Sequence, residues 1–262
     1  MIFESHAHYD DDKFDEDRKE LLESLRENKI GWVMNIGSSI ESCKQTVELM
    51  SRYDFIYGAL GVHPNEVHHV TEEDYQWLLR EVQENEKVRA VGEIGLDYYW
   101  DEPEPAVQKE WFEKQVELAR SVKLPIVVHS RDAAKDTYDM MSSLKCGEIG
   151  GVIHCFSYGV EEAKKYLNMG FYLGIGGVIT FKNAKKLKEV AEYVPLDAIL
   201  LETDCPYLAP EPNRGKRNSS LNLPYVAQAI ADIKGITYEE VVKVTTQNAK
   251  EMYKMEKETQ CI

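Results

Sequence analysis

Two histidines one residue apart, His6 and His8, follow the short stretch "IFES" (2–5), and an acidic run opens at Asp10. Their imidazoles point the same way only if the chain is extended there, because side chains on a strand repeat every second residue. Other metal-capable residues also follow short aliphatic runs: His63 in "GVHP", Glu93 in "GEIGLD", His129 in "VVHSRD", His154 in "IHCF" and Asp204 in "LETDCP". Of the 7 histidines, only His68 and His69 fall elsewhere, in a polar connection. Neutral imidazole and carboxylate suit zinc, manganese, iron, cobalt or nickel. His6, His8, Glu93, His129, His154 and Asp204 are more ligands than one tetrahedral ion uses, so a second ion is expected, with a carboxylate bridging the two.

Such convergence needs elements that end at one place. Runs of aliphatic and β-branched residues occur at 2–5, 32–37, 55–61, 89–95, 125–130, 151–156, 171–176 and 198–204. Stretches with helical spacing separate them, such as "IESCKQTVELMSRY" and "AVQKEWFEKQVELARSV", and two more close the chain, "LPYVAQAIADIKG" and "TYEEVVKVTTQNAKEMYK". Strands alternating with helices imply a parallel sheet buried on both faces. The pattern predicts an α/β protein built as a (β/α)8 TIM barrel, in a single domain over 1–262, with its chemistry at the C-terminal strand ends. The rival, an open doubly wound sheet, needs a glycine-rich phosphate loop after its first strand. Here "HAHYDDD" follows, with no glycine and with acids where a phosphate would sit.

Bulk properties narrow the class. The chain has 262 residues, with 43% hydrophobic and 29% charged. No apolar run reaches the roughly 20 residues of a membrane span. The first residues lack the basic start and apolar middle of a signal peptide, so a cytoplasmic location is expected. Cys43, Cys146, Cys155, Cys205 and Cys261 form no CxxC pair, which argues against a disulfide framework or a thiolate zinc knuckle. The net charge of −15 is wrong for a protein that holds nucleic acid by a basic surface. A polyanionic substrate would have to be attracted by a bound metal cluster.

The motifs "HAH", "GVHP", "GEIGLDY", "VVHSRDA", "HCFS" and "ETDCPYLAP…GKRN" closely resemble, in order and along the whole chain, the TatD family of metal-dependent deoxyribonucleases. That family belongs to the amidohydrolase-like barrels. The resemblance implies two neighbouring sites. His6, His8, Glu93 and Asp204 would hold one ion, and Glu93, His129 and His154 the other, with Glu93 as the bridge. Glu4 stands where the family often has Asp, and a role in orienting a histidine is expected for it. The family often continues Glu-Pro after "GKRN", whereas this chain reads Ser219-Ser220-Leu221-Asn222-Leu223-Pro224. That departure puts a substrate contact by this stretch in doubt.

The expected chemistry is phosphodiester hydrolysis by a two-metal-activated water. Formal counting leaves the first shell about one positive charge, which would answer the acidic surface. Asp204 and Glu93 are the expected catalytic carboxylates, Asp204 as proton acceptor. Arg131 leads as a phosphate donor, with an ion pair to Asp132 or another acid as the structural alternative. His63 is expected to contact phosphate or leaving group. Glu202 shares a face with Asp204 and would orient a ligand or bind water. Tyr98, Tyr99, Trp100, Phe156 and Tyr158 either stack bases or close the barrel top, and "RGKR" (214–217) either tracks a phosphate or is a solvated turn. A narrow mouth suits single-stranded DNA ends, hence an exonuclease. No membrane and no obligate protein partner are expected. Other classes are a hydrolase of amide or ester bonds, such as a D-aminoacyl-tRNA deacylase, and a non-catalytic metal-binding barrel. The histidines favour zinc, manganese or iron over magnesium, while the family is usually described with Mg2+ or Mn2+.

Overall fold

Eight short aliphatic runs become eight parallel strands whose order in the sheet follows the chain. They are β1 (Ile2–Ala7), β2 (Ile30–Ile36), β3 (Ile56–Leu60), β4 (Val88–Asp97), β5 (Ile126–Arg131), β6 (Gly151–Ile153), β7 (Tyr172–Ile175) and β8 (Ile199–Leu201). The structure is a computed structural model and describes residues 1–255; the rest of the expected domain, with Cys261, lies outside the described residues. The helices are α1 (Arg18–Leu25), α2 (Ile40–Arg52), α3 (Glu72–Glu84), α4 (Pro105–Val122), α5 (Ala134–Ser143), α6 (Val160–Asn168), α7 (Lys185–Tyr193), α8 (Leu223–Lys234) and α9 (Tyr238–Met252). The seam closes where β8 returns to β1. Ala7 bridges Cys205, the Asp204 N–H donates to the His6 carbonyl at 3.0 Å, and the His8 N–H donates to the Cys205 carbonyl at 2.9 Å. The result is the (β/α)8 barrel.

Strand alternation divides the buried residues into two cores. Phe3, Met34, Ala59, Ala90, Val127, Val152 and Leu200 fill the barrel. Ile2, Val33, Ile56, Val91, Ile126, Val128, Ile153, Leu173 and Ile199 face outwards and join the helices' apolar stripes. The chain just past α9 plugs the end opposite the chemistry. Tyr253 stacks on Phe3 with ring centroids 5.8 Å apart, and its hydroxyl donates to the Ser5 carbonyl at 2.8 Å.

Element bounds differ from the periodicity at three places that matter. β6 ends at Ile153 and β8 at Leu201 rather than at 156 and 204. Cys155 (φ 45°) and Asp204 (φ 56°) adopt left-handed backbone, which a strand ladder does not accommodate. His154 and Asp204 therefore stand on turns just beyond the strands. β4 instead continues to Asp97, pairing with β5 as far as Arg131.

Candidate metal centre

Alternation along β4 puts Glu93, Gly95 and Asp97 on one face. Gly95 has φ +142°, and a Cβ there would lie 2.0 Å from the His129 carbonyl oxygen. Only glycine lets β4 approach β5 so closely between the two acids. Glu93 is 3% exposed and lies among five imidazoles. Its Oε1 is 2.8 Å from His129 Nδ1, 2.7 Å from His154 Nε2 and 3.8 Å from His63 Nε2. Its Oε2 is 3.6 Å from His6 Nε2 and 3.9 Å from His8 Nε2.

Two groups of ligand-capable atoms share Glu93: His6, His8 and Glu93, and Glu93, His129 and His154. The His6 and His8 Nε2 atoms are 3.1 Å apart, and Asp204 Oδ1 is 3.7 and 3.4 Å from them. All six residues expected as ligands meet at one mouth. Their second nitrogens support the assignment. His8 Nδ1 contacts the Ile36 carbonyl at 2.8 Å. A carbonyl only accepts, so Nδ1 keeps its proton and Nε2 is the nitrogen that ligates once it is deprotonated. His129 Nε2 donates to Asp97 Oδ2 at 3.0 Å, which leaves Nδ1 facing Glu93. His6 Nδ1 and His154 Nδ1 are buried without a partner. Nitrogen and oxygen donors converging around shared carboxylates fit a borderline divalent ion.

The ionisation of these groups is that of a cation cage. Burial opposes charge on His8, but the hydrogen bond and charge of Asp204, with Glu93 and Asp10, carry it up to about 10. His129 is likewise carried against burial, by Asp97 and Glu93, up to about 9. Burial would raise Glu93, yet His154, His129 and His6 hold it well below the carboxylate range. Burial would also raise Asp204, and His8, His154 and His6 outweigh that and lower it. Burial and then His154 push His6 down to about 4. Burial and then His129 push His63 down to about 3. Protons on His8 and His129 thus answer the carboxylates of Asp204, Glu93 and Asp97.

Among the residues expected to contact substrate, His63 reaches the mouth as a neutral donor. The Asn65 N–H donates to its Nδ1 at 3.2 Å, which leaves the proton on Nε2. Arg131 is exposed, with its guanidinium 3.7 Å over the Tyr99 ring. It lines a space of about 370 Å³ together with His129, His154 and Asp204. Its alternative, a pair with Asp132, is not among the ion pairs of the described residues. Glu202 is 1% exposed and lines a cavity against α7 rather than the space around Glu93. Its Oε1 accepts the Cys155 N–H at 2.5 Å and lies 4.0 Å from His154 Nδ1, so it holds the turn that carries His154. A Cβ at Gly174 would meet Glu202 Oε2 at 2.1 Å.

Four expectations resolve at neighbouring residues. Glu4 orients no imidazole. It accepts from Thr203 N at 2.9 Å and Thr203 Oγ1 at 2.7 Å, so it braces the turn before Asp204. Arg217 of "RGKR" is held by both Asp17 oxygens, at 2.7 and 2.6 Å, and Arg214 lies over Phe181. The Ser219–Pro224 stretch is a clamp, since buried Ser220 accepts from the Tyr9 hydroxyl at 2.8 Å. The aromatics split: Tyr99 and Trp100 stand 54% and 56% exposed, whereas Phe156 is buried, and Tyr98 and Tyr158 bind Asp136 and Ser130. Asp97 is the functional residue the sequence reading missed. Its period-two spacing from Glu93 was the available signal.

A parallel barrel with histidines and shared carboxylates at the C-terminal strand ends defines a metal-dependent hydrolase. Comparison with known proteins gives the family. The sequence profile described as "TatD related DNase" matches residues 3–254. The chain belongs to the TatD family. It is 42% identical over 255 residues to the uncharacterized metal-dependent hydrolase YabD of Bacillus subtilis, covering 97% of this chain and 100% of that one. It is 36% identical over 252 residues to the uncharacterized metal-dependent hydrolase YcfH of Escherichia coli, covering 95% and 94%. Among solved structures, YJJV, a TatD homolog from Escherichia coli, superposes with a TM-score of 0.91 at 26% identity, covering 97% and 98%. No helix among the described residues is long and apolar enough to cross a membrane.

Proposed function

We propose that this chain is a two-metal phosphodiesterase, a deoxyribonuclease that works from the ends of single-stranded DNA. One observation carries the reading: Glu93 is shared between two imidazole groups at an open mouth that also presents cationic and neutral donors. His6, His8, Glu93 and Asp204 would hold one divalent ion, and Glu93, His129 and His154 the other, with Mn2+, Zn2+ or Mg2+ as the candidates. When bound, such ions activate water and neutralise phosphoryl charge.

The protein's own groups do the rest. Asp204, kept ionised by His8, His154 and His6, accepts the proton of the attacking water on its carboxylate. His63 donates from Nε2, and Arg131, already oriented on Tyr99, donates to phosphoryl oxygens where charge develops. Asp97 fixes His129, and Glu4 and Glu202 fix the turns of Asp204 and His154. A small neutral amide would leave Arg131 without a role, which favours the phosphodiester over that substrate.

The test uses chelated, remetallated protein on single DNA strands labelled at the 5′ or 3′ end. Stepwise shortening that Glu93→Ala abolishes supports the proposal. Equal cleavage by both proteins would reject it.

A further inference from the structure

Beside the metal centre, against α7, lies a cavity of about 330 Å³, inside the roughly 300–1,000 Å³ range of small-molecule sites. It shares Cys155, Ser157, Asp204 and Leu208 with the space that Arg131, His129 and His154 line, so the two are continuous. Phe156 and Leu187, both buried, and Val178 give it an apolar face, while Glu202, Thr203 and Asp204 line the side towards the metal centre. Ser157 and Asn183 add polar edges, and no hydrogen bond among the described residues occupies the Ser157 hydroxyl or the Asn183 amide.

The rim is basic. Lys185 and Lys186 line it, and the stretch "KNAKKLK" (182–188) contains no acid. Lys182, Lys185 and Lys186 are exposed, and none of the ion pairs among the described residues involves them. α7 has no acidic residue in its first turn. Cations there oppose the helix dipole, and they are concentrated on a chain of net charge −15. A bound anion offsets that placement.

We propose that this cavity receives the unpaired end base of a strand whose scissile phosphate lies at the metal centre, with Lys185 and Lys186 holding an adjacent backbone phosphate. The inference rests on the phosphodiesterase reading above. A flat base covers the apolar floor with its π-face and meets Ser157 and Asn183 with its edge. Stacking of this kind is tolerant of sequence. A small neutral group would fill the floor yet leave the lysine edge unmatched.

The experiment compares manganese-reloaded wild type, Val178→Trp and the double variant Lys185→Glu/Lys186→Glu. Substrates are a short oligothymidylate, the same strand with an abasic residue at each end, and bis-para-nitrophenyl phosphate, a diester with no base. Rates on the strands are taken relative to the small diester. Wild type is expected to favour the base-bearing strand about tenfold in kcat/KM, and Val178→Trp to remove that preference. The lysine variant is expected to raise KM for both strands and to flatten its salt dependence. Anisotropy with chelated protein reads the same preference as affinity, without turnover. Equal treatment of base-bearing and abasic strands by wild type, in rate and in binding, overturns the pocket assignment while strand cleavage keeps the phosphodiesterase reading standing. Hydrolysis of none of the three substrates overturns both.

Discussion

Five imidazole nitrogens lie between 2.7 and 3.9 Å from the carboxylate of Glu93. A buried carboxylate so surrounded is ionised, and its surroundings are built for positive charge. Asp97 acts on this cluster through His129. Asp97→Asn should therefore lower metal affinity or turnover by about 10–100-fold, with the thermal midpoint nearly unchanged; titration calorimetry and initial rates on the same preparation check it. Metal affinity should also rise with pH. His8 and His129, carried up to about 10 and about 9, must lose protons before their nitrogens ligate. Affinity is then expected to climb from pH 7 to about 9, with proton release visible in unbuffered titrations. A flat profile would contradict the cage described here. The six candidate ligands were legible because each follows an aliphatic run. The partners of Glu4 and Arg217 were not, because Thr203 and Asp17 lie 199 and 200 residues away.

At the scale of elements, strand ends position the ligands and the seam fixes their distance. The Asp204 N–H and the His8 N–H both cross between β8 and β1, so barrel closure and assembly of the first ligand group are one event. The barrel floor depends on the chain after α9. Tyr253→Ala removes a fully buried ring and the bond to the Ser5 carbonyl. The expected loss is about 3–5 kcal/mol, measured by urea denaturation of the chelated protein. Periodicity identified every strand because a parallel barrel strand is a short aliphatic run. It overran β6 and β8 because left-handed backbone at Cys155 and Asp204 leaves no mark on hydrophobic pattern.

Across the whole molecule, burial makes stability depend on pH. Glu4 is raised to about 7 and Glu202 to about 8, chiefly by burial, and His8 and His129 are raised despite it. Each binds its proton more tightly folded than unfolded. The stability they contribute is present below their ordinary values and is lost as pH rises through the folded ones. Glu4's share is gone by about pH 7, so the chelated protein's thermal midpoint should fall between about pH 7 and pH 10 through Glu202, His129 and His8. Glu202→Gln should flatten the lower part of that fall, and added Mn2+ should oppose it by binding only the folded state. Calorimetry across that range checks all three; a midpoint that rises would contradict the assignment. The sequence by itself determined the barrel and its candidate ligands, since alternation and the chemistry of His, Asp and Glu are local properties readable in order. Only the tertiary structure decided that Asp97 turns His129, that His63 is a donor, that Arg217 is taken by Asp17 and that an apolar cavity opens beside α7. Those outcomes depend on loops from distant strands meeting in space, and no periodicity encodes which side chains will face each other there.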